Sequence, residues 1–195
     1  MRVIAGTYRS RQLSSPRGLQ TRPTSDRLRE TLFNILTAGN PRTLEGTVWL
    51  DLYAGTGAVG IEALSRGASK VYFVDSSAQA AELVRRNLHS LNISDGFEII
   101  EDQTSRALWL LQRQRVSPDV VFLDPPYEST GEYAKTLLAL EDAELIWAMS
   151  LVIAEHDRHC DPGDEFRQLR RFRKTVQGDS ALSFYRLGPV APAML

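Results

Sequence analysis

Asp124-Pro125-Pro126-Tyr127 gathers a carboxylate, two consecutive residues with no N–H to donate, and an aromatic ring. The apolar run Val120-Val121-Phe122-Leu123 ahead of it reads as a strand buried on both faces. Prolines cannot donate to a strand ladder, so that strand ends at Asp124 and leaves a stiff, acceptor-rich corner. Such a corner suits a planar substrate with an exocyclic amino group. Asp124 and the Pro125 carbonyl would accept its two N–H hydrogens while Tyr127 stacks on the ring. An ordinary Asp-Pro turn is the competing reading.

The elements upstream decide between the two. Thr47–Leu52 reads as a buried strand running into Tyr53-Ala54-Gly55-Thr56-Gly57-Ala58-Val59-Gly60, with a helix carrying Ile61, Ala63 and Leu64 to Gly67. Lys70–Asp75 reads as a second strand, followed by a helix to about Leu91 with Ser76 as cap and Gln79 completing a capping box. Phe97–Glu101 is a third strand with Asp102 and Gln103 at its end, and Asp119–Leu123 a fourth. An open α/β sheet binds ligands outside the carboxyl ends of its strands, where Asp51, Asp75, Asp102 and Asp124 all fall. Four such acids favour an active site over a turn.

Gly55-x-Gly57-x-x-Gly60 also matches a dinucleotide fingerprint, leaving an NAD-linked oxidoreductase as one reading. Two features favour S-adenosylmethionine instead. Asp51, four residues before Gly55, would repel a pyrophosphate yet suits a cationic or amino-acid moiety. Downstream there is no second nucleotide half with its own glycine turn. Asp75 would take the ribose hydroxyls, and Asp102 with Gln103 would reach the adenine amino group.

The net charge of −1 conceals a segregation. Residues 1–45 sum to +5, residues 46–166 to −11 and residues 167–195 to +5, and arginine outnumbers lysine twenty to three. Basic ends around an acidic middle can hold a polyanion if they meet in space. Residues 1–21 read as a basic hairpin or arm, with Tyr8 interleaved among Arg2, Arg9 and Arg11. Arg22-Pro23-Thr24 leads into a helix with Leu28, Leu32, Ile35 and Leu36 on one face and Thr24, Ser25 or Asp26 as cap. Arg22, Arg27 and Arg29 crowd its start, where the helix dipole disfavours cations, so an external anion is expected there.

A helix over Tyr133–Leu140, a strand over Met149–Glu155 and a strand pair around Gly178-Asp179 complete a domain of residues 22–188, with residues 189–195 as a tail. His156 to Asp161 lacks metal-ligand spacing and reads as a polar connection, so no metal is expected. One cysteine, no apolar window of membrane-spanning length and no signal-peptide core point to a cytoplasmic protein away from membranes.

Asp51-Leu52-Tyr53-Ala54-Gly55-Thr56-Gly57 together with Asp124-Pro125-Pro126-Tyr127 resembles the amino-methylating class I methyltransferases. Met1–Gly6 and Arg22-Pro23-Thr24-Ser25-Asp26-Arg27-Leu28-Arg29-Glu30-Thr31-Leu32-Phe33-Asn34 narrow the resemblance to the bacterial RsmD-like family. That resemblance implies a Rossmann-like, mostly parallel seven-stranded sheet closed by an antiparallel C-terminal hairpin. It also implies S-adenosylmethionine-dependent methylation of guanine N2 in 16S ribosomal RNA, on the small subunit or its assembly intermediate, by a monomer. Carried over residue by residue, Asp51, Tyr53, Ala54, Gly55, Thr56, Gly57, Asp75, Ser76, Asp102 and Gln103 would hold the cofactor. Asp124, Pro125, Pro126 and Tyr127 would be catalytic; Arg2, Tyr8, Arg9, Arg11, Arg22, Arg27 and Arg29 would face RNA. Gln103 departs from the family, where Asp or Asn is commoner. A DNA amino-methyltransferase and a non-catalytic nucleotide- or RNA-binding module of the same fold are the alternatives.

Overall fold

Five apolar runs pair in parallel at the centre of a computed structural model that describes residues 1–15, 26–126 and 130–188. They are β1 (Val48–Leu52), β2 (Lys70–Asp75), β3 (Phe97–Glu101), β4 (Val120–Leu123) and β5 (Leu151–Asp157). Three more strands follow: β6 (Glu165–Phe166), β7 (Leu169–Gln177) and β8 (Ser180–Leu187). The sheet order is β3-β2-β1-β4-β5-β8-β7-β6, with β8, β7 and β6 antiparallel. The chain builds outward from β1 to β3, then returns to place β4 on the other side of β1. That reversal opens a crevice outside the carboxyl ends of β1 and β4.

Strand alternation divides the core in two. Trp49, Val71, Phe73, Phe122, Ile153 and Phe184 face α1 (Asp26–Leu36), α2 (Ala58–Ser65) and α3 (Ala78–Ser90). Leu50, Val74, Val121, Leu123, Val152 and Tyr185 face α4 (Thr104–Arg113) and α5 (Thr130–Asp142). Helices on both faces explain why the parallel strands are mainly apolar, and why β4 is apolar throughout. On α1, Leu28, Leu32 and Phe33 are buried, and Phe33 stacks on Trp49 with centroids 5.5 Å apart.

Several boundaries differ from expectation. The sheet has eight strands rather than seven; β6 is only two residues long and leaves no periodic signal. β5 extends through His156 and Asp157, so these are not in a polar connection. His156 is buried, with Nε2 at 2.9 Å from Ser183 Oγ and Nδ1 at 2.8 Å from the Asp157 carbonyl. Ser77, not Ser76, caps α3: its Oγ accepts from Ala80 N at 3.3 Å, leaving no capping box with Gln79.

The N-terminal arm is a loop with one antiparallel bridge, Arg2 to Gln12, rather than a hairpin of strands. It is bound to α2. Ile4 N and Ala5 N donate to the two Glu62 carboxylate oxygens at 2.7 and 3.0 Å, and Tyr8 N donates to Ser65 Oγ at 3.0 Å. Gly6 sits at φ +81°, and a Cβ there would lie 1.8 Å from the Ser65 carbonyl oxygen. Val3 and Leu13 enter the core beneath. The expected caps Thr24 and Ser25, with Arg22, lie outside the described residues, as do Tyr127 and the tail 189–195.

Candidate active site

The turn after β1 is held by carboxylates. Asp75, at the end of β2, accepts from Gly55 N and Ser77 N, each at 2.9 Å. Asp51, buried in β1, accepts from Gly60 N in the first turn of α2 at 3.0 Å. Burial pushes the Asp51 carboxyl up to about 8; the Gly60 N–H opposes this and the Asp75 charge adds to it. Tyr53 (φ +62°), Gly55 (φ +55°) and Gly57 (φ +74°) all lie in the left-handed region. Gly60 is needed for a different reason: a Cβ would fall 2.3 Å from Phe73 Cε1, so α2 can lie flat on β2 only without one. At Gly55 the nearest atom to such a Cβ is the Tyr53 carbonyl oxygen at 3.8 Å. The backbone there is open for a ligand to approach.

A cleft of about 260 Å³ adjoins this turn, bordered by Tyr53, Ser76, Gln103, Thr104, Glu132 and Lys135. The Tyr53 hydroxyl lies 2.7 Å from Thr136 Oγ1 and donates to Glu132 Oε2 at 3.4 Å, tying the turn to α5. Gln103 stands at the N-cap of α4 without a side-chain cap bond. Asp102 Oδ1 accepts from Gln103 N at 2.8 Å, and its Oδ2 pairs with Arg106 at 3.1 Å. Lys135 is paired with Glu132 at 3.1 Å. The cations around this edge are neutralised while the acids line it. A phosphate-free nucleoside such as S-adenosylmethionine, which brings hydroxyl and amino donors, fits those carboxylate acceptors better than a pyrophosphate.

Asp124 follows β4 directly, its N–H donating to the Leu52 carbonyl at 3.4 Å. It thus stands beside the end of β1. Leu123 pairs with Ala154, which sets Asp124 level with Glu155 on β5. Glu155 is 1% exposed, and Tyr133 of α5 donates to its carbonyl at 2.9 Å. Burial holds the Asp124 carboxyl well above the usual carboxylate range, and the charges of Glu155 and Asp51 add to the effect. Pro125 is buried and Pro126 exposed. Asp51, Asp75, Asp102 and Asp124 thus all stand on one edge of the sheet, and Glu155 joins them. That fifth acid stands level with Asp124 but two residues before the end of β5, so the strand-end rule that picked out the other four does not reach it.

The arginines divide. The side chains of Arg2, Arg9, Arg11 and Arg27 are exposed, with Arg11 also donating to the Ser90 carbonyl at 3.2 Å. Tyr8 is half-buried against the core rather than free for stacking. Arg29 does not face RNA. It is fully buried, donates to the Arg2 carbonyl and to Asp26 Oδ1 (3.0 Å), and lies 4.0 Å from Glu62. Burial lowers its pKa, opposed by Asp26, Glu62 and Glu155. The amphipathic pattern of α1 gives this inward side chain no warning, because long side chains of either polarity can occupy the boundary of an apolar stripe. Glu62, its counter-charge, also escaped the sequence reading.

The family described as "Conserved hypothetical protein 95" matches residues 1–186. A Haemophilus influenzae protein named Ribosomal RNA small subunit methyltransferase D is 39% identical over 141 residues, covering 71% of this chain and 70% of its own. The Escherichia coli protein of the same name is 32% identical over 157 residues, covering 80% and 75%. Among solved structures, an Escherichia coli protein provisionally named methyltransferase yhhF superimposes with a TM-score of 0.80 at 27% identity. That superposition covers 97% of this chain and 98% of the other.

Proposed function

This chain belongs to the ribosomal RNA small subunit methyltransferase D family, and on that footing we propose that it transfers a methyl group from S-adenosylmethionine to N2 of a guanine in 16S ribosomal RNA. The observation that carries the choice of acceptor is the Asp124-Pro125-Pro126 corner. It stands at the switch point between β1 and β4, and it offers oxygen acceptors where an amino group has hydrogens to donate. The cytoplasm is the expected compartment, and no helix among the described residues is long and apolar enough to cross a membrane.

The cofactor residues are the glycine turn from Tyr53 to Gly57, with Asp51 behind it, Asp75 and Ser76 after β2, and Asp102 with Gln103 after β3. S-adenosylmethionine, when bound there, supplies an electrophilic methyl group. The chain's own contribution is at the acceptor nitrogen, whose lone pair is delocalised into the guanine ring. Asp124 and the Pro125 carbonyl hold the two amino hydrogens so that the nitrogen can pyramidalise and its lone pair turn outward. Alignment supplies most of the acceleration. No strong base is required, because the nitrogen's proton becomes acidic as its new bond forms, and Asp124 is placed to receive it. Tyr127, next in the chain, is assigned to stack on the base, which leaves its RNA context to enter.

The test is transfer of labelled methyl to unmodified small subunits, naked ribosomal RNA and duplex DNA, followed by nucleoside analysis. Label in N2-methylguanine is the expected result, with the particle preferred if the substrate is an assembly intermediate. Label confined to DNA would overturn the assignment and leave the fold intact.

A further inference from the structure

The β7–β8 hairpin carries cations of two kinds. Arg171 and Lys174 are committed to carboxylates: Arg171 to Asp161 and Asp164, Lys174 to Asp161 at 2.6 Å. Arg173 and Arg186 have no carboxylate partner among the described residues; the hydrogen bond that Arg173 makes there is a 3.4 Å contact with Thr175 Oγ1. Beside them stands Phe172, 55% exposed. The register shifts between Arg171 and Arg173, which makes Phe172 the extra residue of a bulge. Bulges interrupt the ladder and re-aim a side chain.

The four side chains form one cluster. The Arg186 guanidinium carbon lies 5.1 Å from the Phe172 ring centroid, and that of Arg173 lies 5.9 Å from the Phe184 centroid. The two rings are 6.3 Å apart. Phe184 belongs to the core layer under α1, α2 and α3, so the cluster is on that face of the sheet. The exposed arginines of the arm and Arg27 of α1 share it, and the alternation Val120, Phe122, Asp124 directs the catalytic corner the same way. Charge on an edge strand can be explained as protection against pairing with another chain. An exposed phenylalanine among those charges works against such protection, so a second explanation is needed.

We propose that Phe172, Arg173 and Arg186 form a docking platform for an unpaired stretch of the RNA substrate, a base stacking on Phe172 while the two guanidiniums meet phosphates. This rests on the reading of RNA as substrate. Aromatic stacking flanked by free cations is how proteins hold single strands without reading sequence. The two basic ends of the chain thereby act on one face, as their flanking of an acidic middle suggested.

The experiment compares the wild type with Phe172→Ala, Phe172→Trp and the double variant Arg173→Ser/Arg186→Ser. Binding of a labelled single-stranded RNA oligomer is followed over a salt series, with S-adenosylmethionine affinity and methyl transfer to small subunits alongside. Phe172→Ala should weaken RNA binding about tenfold and Phe172→Trp restore it. The double variant should flatten the slope of log K against log salt by about 1.4, the loss of two phosphate contacts. In both damaged variants the particle KM rises while cofactor affinity holds. RNA affinity and salt slope unchanged from the wild type would overturn the platform. So would variants that convert a dimer to a monomer with RNA binding intact, since the edge would then belong to a second copy. A wild type that binds RNA but methylates none would defeat the substrate reading, while the same binding series still decides the platform.

Discussion

In the proposed reaction Asp124 must offer a carboxylate to accept amino hydrogens, yet its surroundings favour the protonated acid. Burial is the main cause, and Glu155 and Asp51 add to it. Transfer should therefore fail as pH falls through a raised pKa, placing the acid limb of the single-turnover rate above the range of an exposed aspartate, about 3.9. The groups facing Asp124 are Asp51 from β1 and Glu155 from β5, and Arg29 of α1 feels Glu155 from behind. Glu155→Gln removes one negative neighbour, so the limb should move to lower pH; a stationary limb would show that Glu155 does not act on Asp124 through charge. Asp124→Ala should abolish transfer with cofactor binding retained, and equal loss of both would make Asp124 a cofactor or structural residue. Asp51 makes a prediction about stability. Its folded pKa of about 8 exceeds the reference 3.8, so between these values the folded state holds a proton that the unfolded state has released. Stability from this group accordingly declines as pH rises through that window. Asp51→Asn, which keeps an acceptor for Gly60 N, should flatten the decline in melting temperature over the same interval.

The contact between α2 and β2 turns on a missing methyl. Gly60→Ala would set a Cβ 2.3 Å from Phe73 Cε1 and 2.7 Å from Val71 Cγ1, a clash that must shift helix or strand. It should cost about 1–3 kcal/mol in denaturant unfolding and weaken cofactor binding, because the same turn presents Gly55 and Gly57. Ser77→Ala should cost about 1 kcal/mol through the lost cap of α3, whereas Ser76→Ala should leave stability unchanged. These two serines mark how far the sequence could be read. The strands β2 and β3 are legible to the residue, because short, largely apolar runs bounded by Gly, Asp and Ser have few other solutions. The choice between adjacent serines depends on where Asp75 Oδ1 draws the Ser77 N–H, a contact that no local pattern encodes. β6 and the bulge at Phe172 escape for a related reason, since both exist only through their partners β7 and β8. The four acids on the ligand edge were legible because strand ends are. Arg29 was not, because its neighbours Glu62 and Glu155 are 33 and 126 residues away in the chain.

Across the whole molecule, the exposed arginines of the arm, Arg27, Arg173 and Arg186 stand on the face that carries α1, α2 and α3, and the acidic strand ends border it. Glu62 links the two. Its carboxylate, fully buried, accepts from Ile4 N and Ala5 N, pairs with Arg66 at 2.7 Å and balances Arg29. Glu62→Gln leaves the Arg29 guanidinium buried with less compensation and should cost about 3–5 kcal/mol in chemical denaturation. Residues 1–15 should become a protease target in that variant, with cleavage mapped by mass; an arm that stays protected would mean that Ser65 and Asn87 suffice to hold it. The attachment of this arm has a consequence for synthesis. Residues 1–15 leave the ribosome before the groups that hold them, for their hydrogen-bond partners are Glu62, Ser65 and Asn87. Until α2 and α3 have emerged and folded, Arg2, Arg9 and Arg11 travel as unanchored cations beside the translating ribosome.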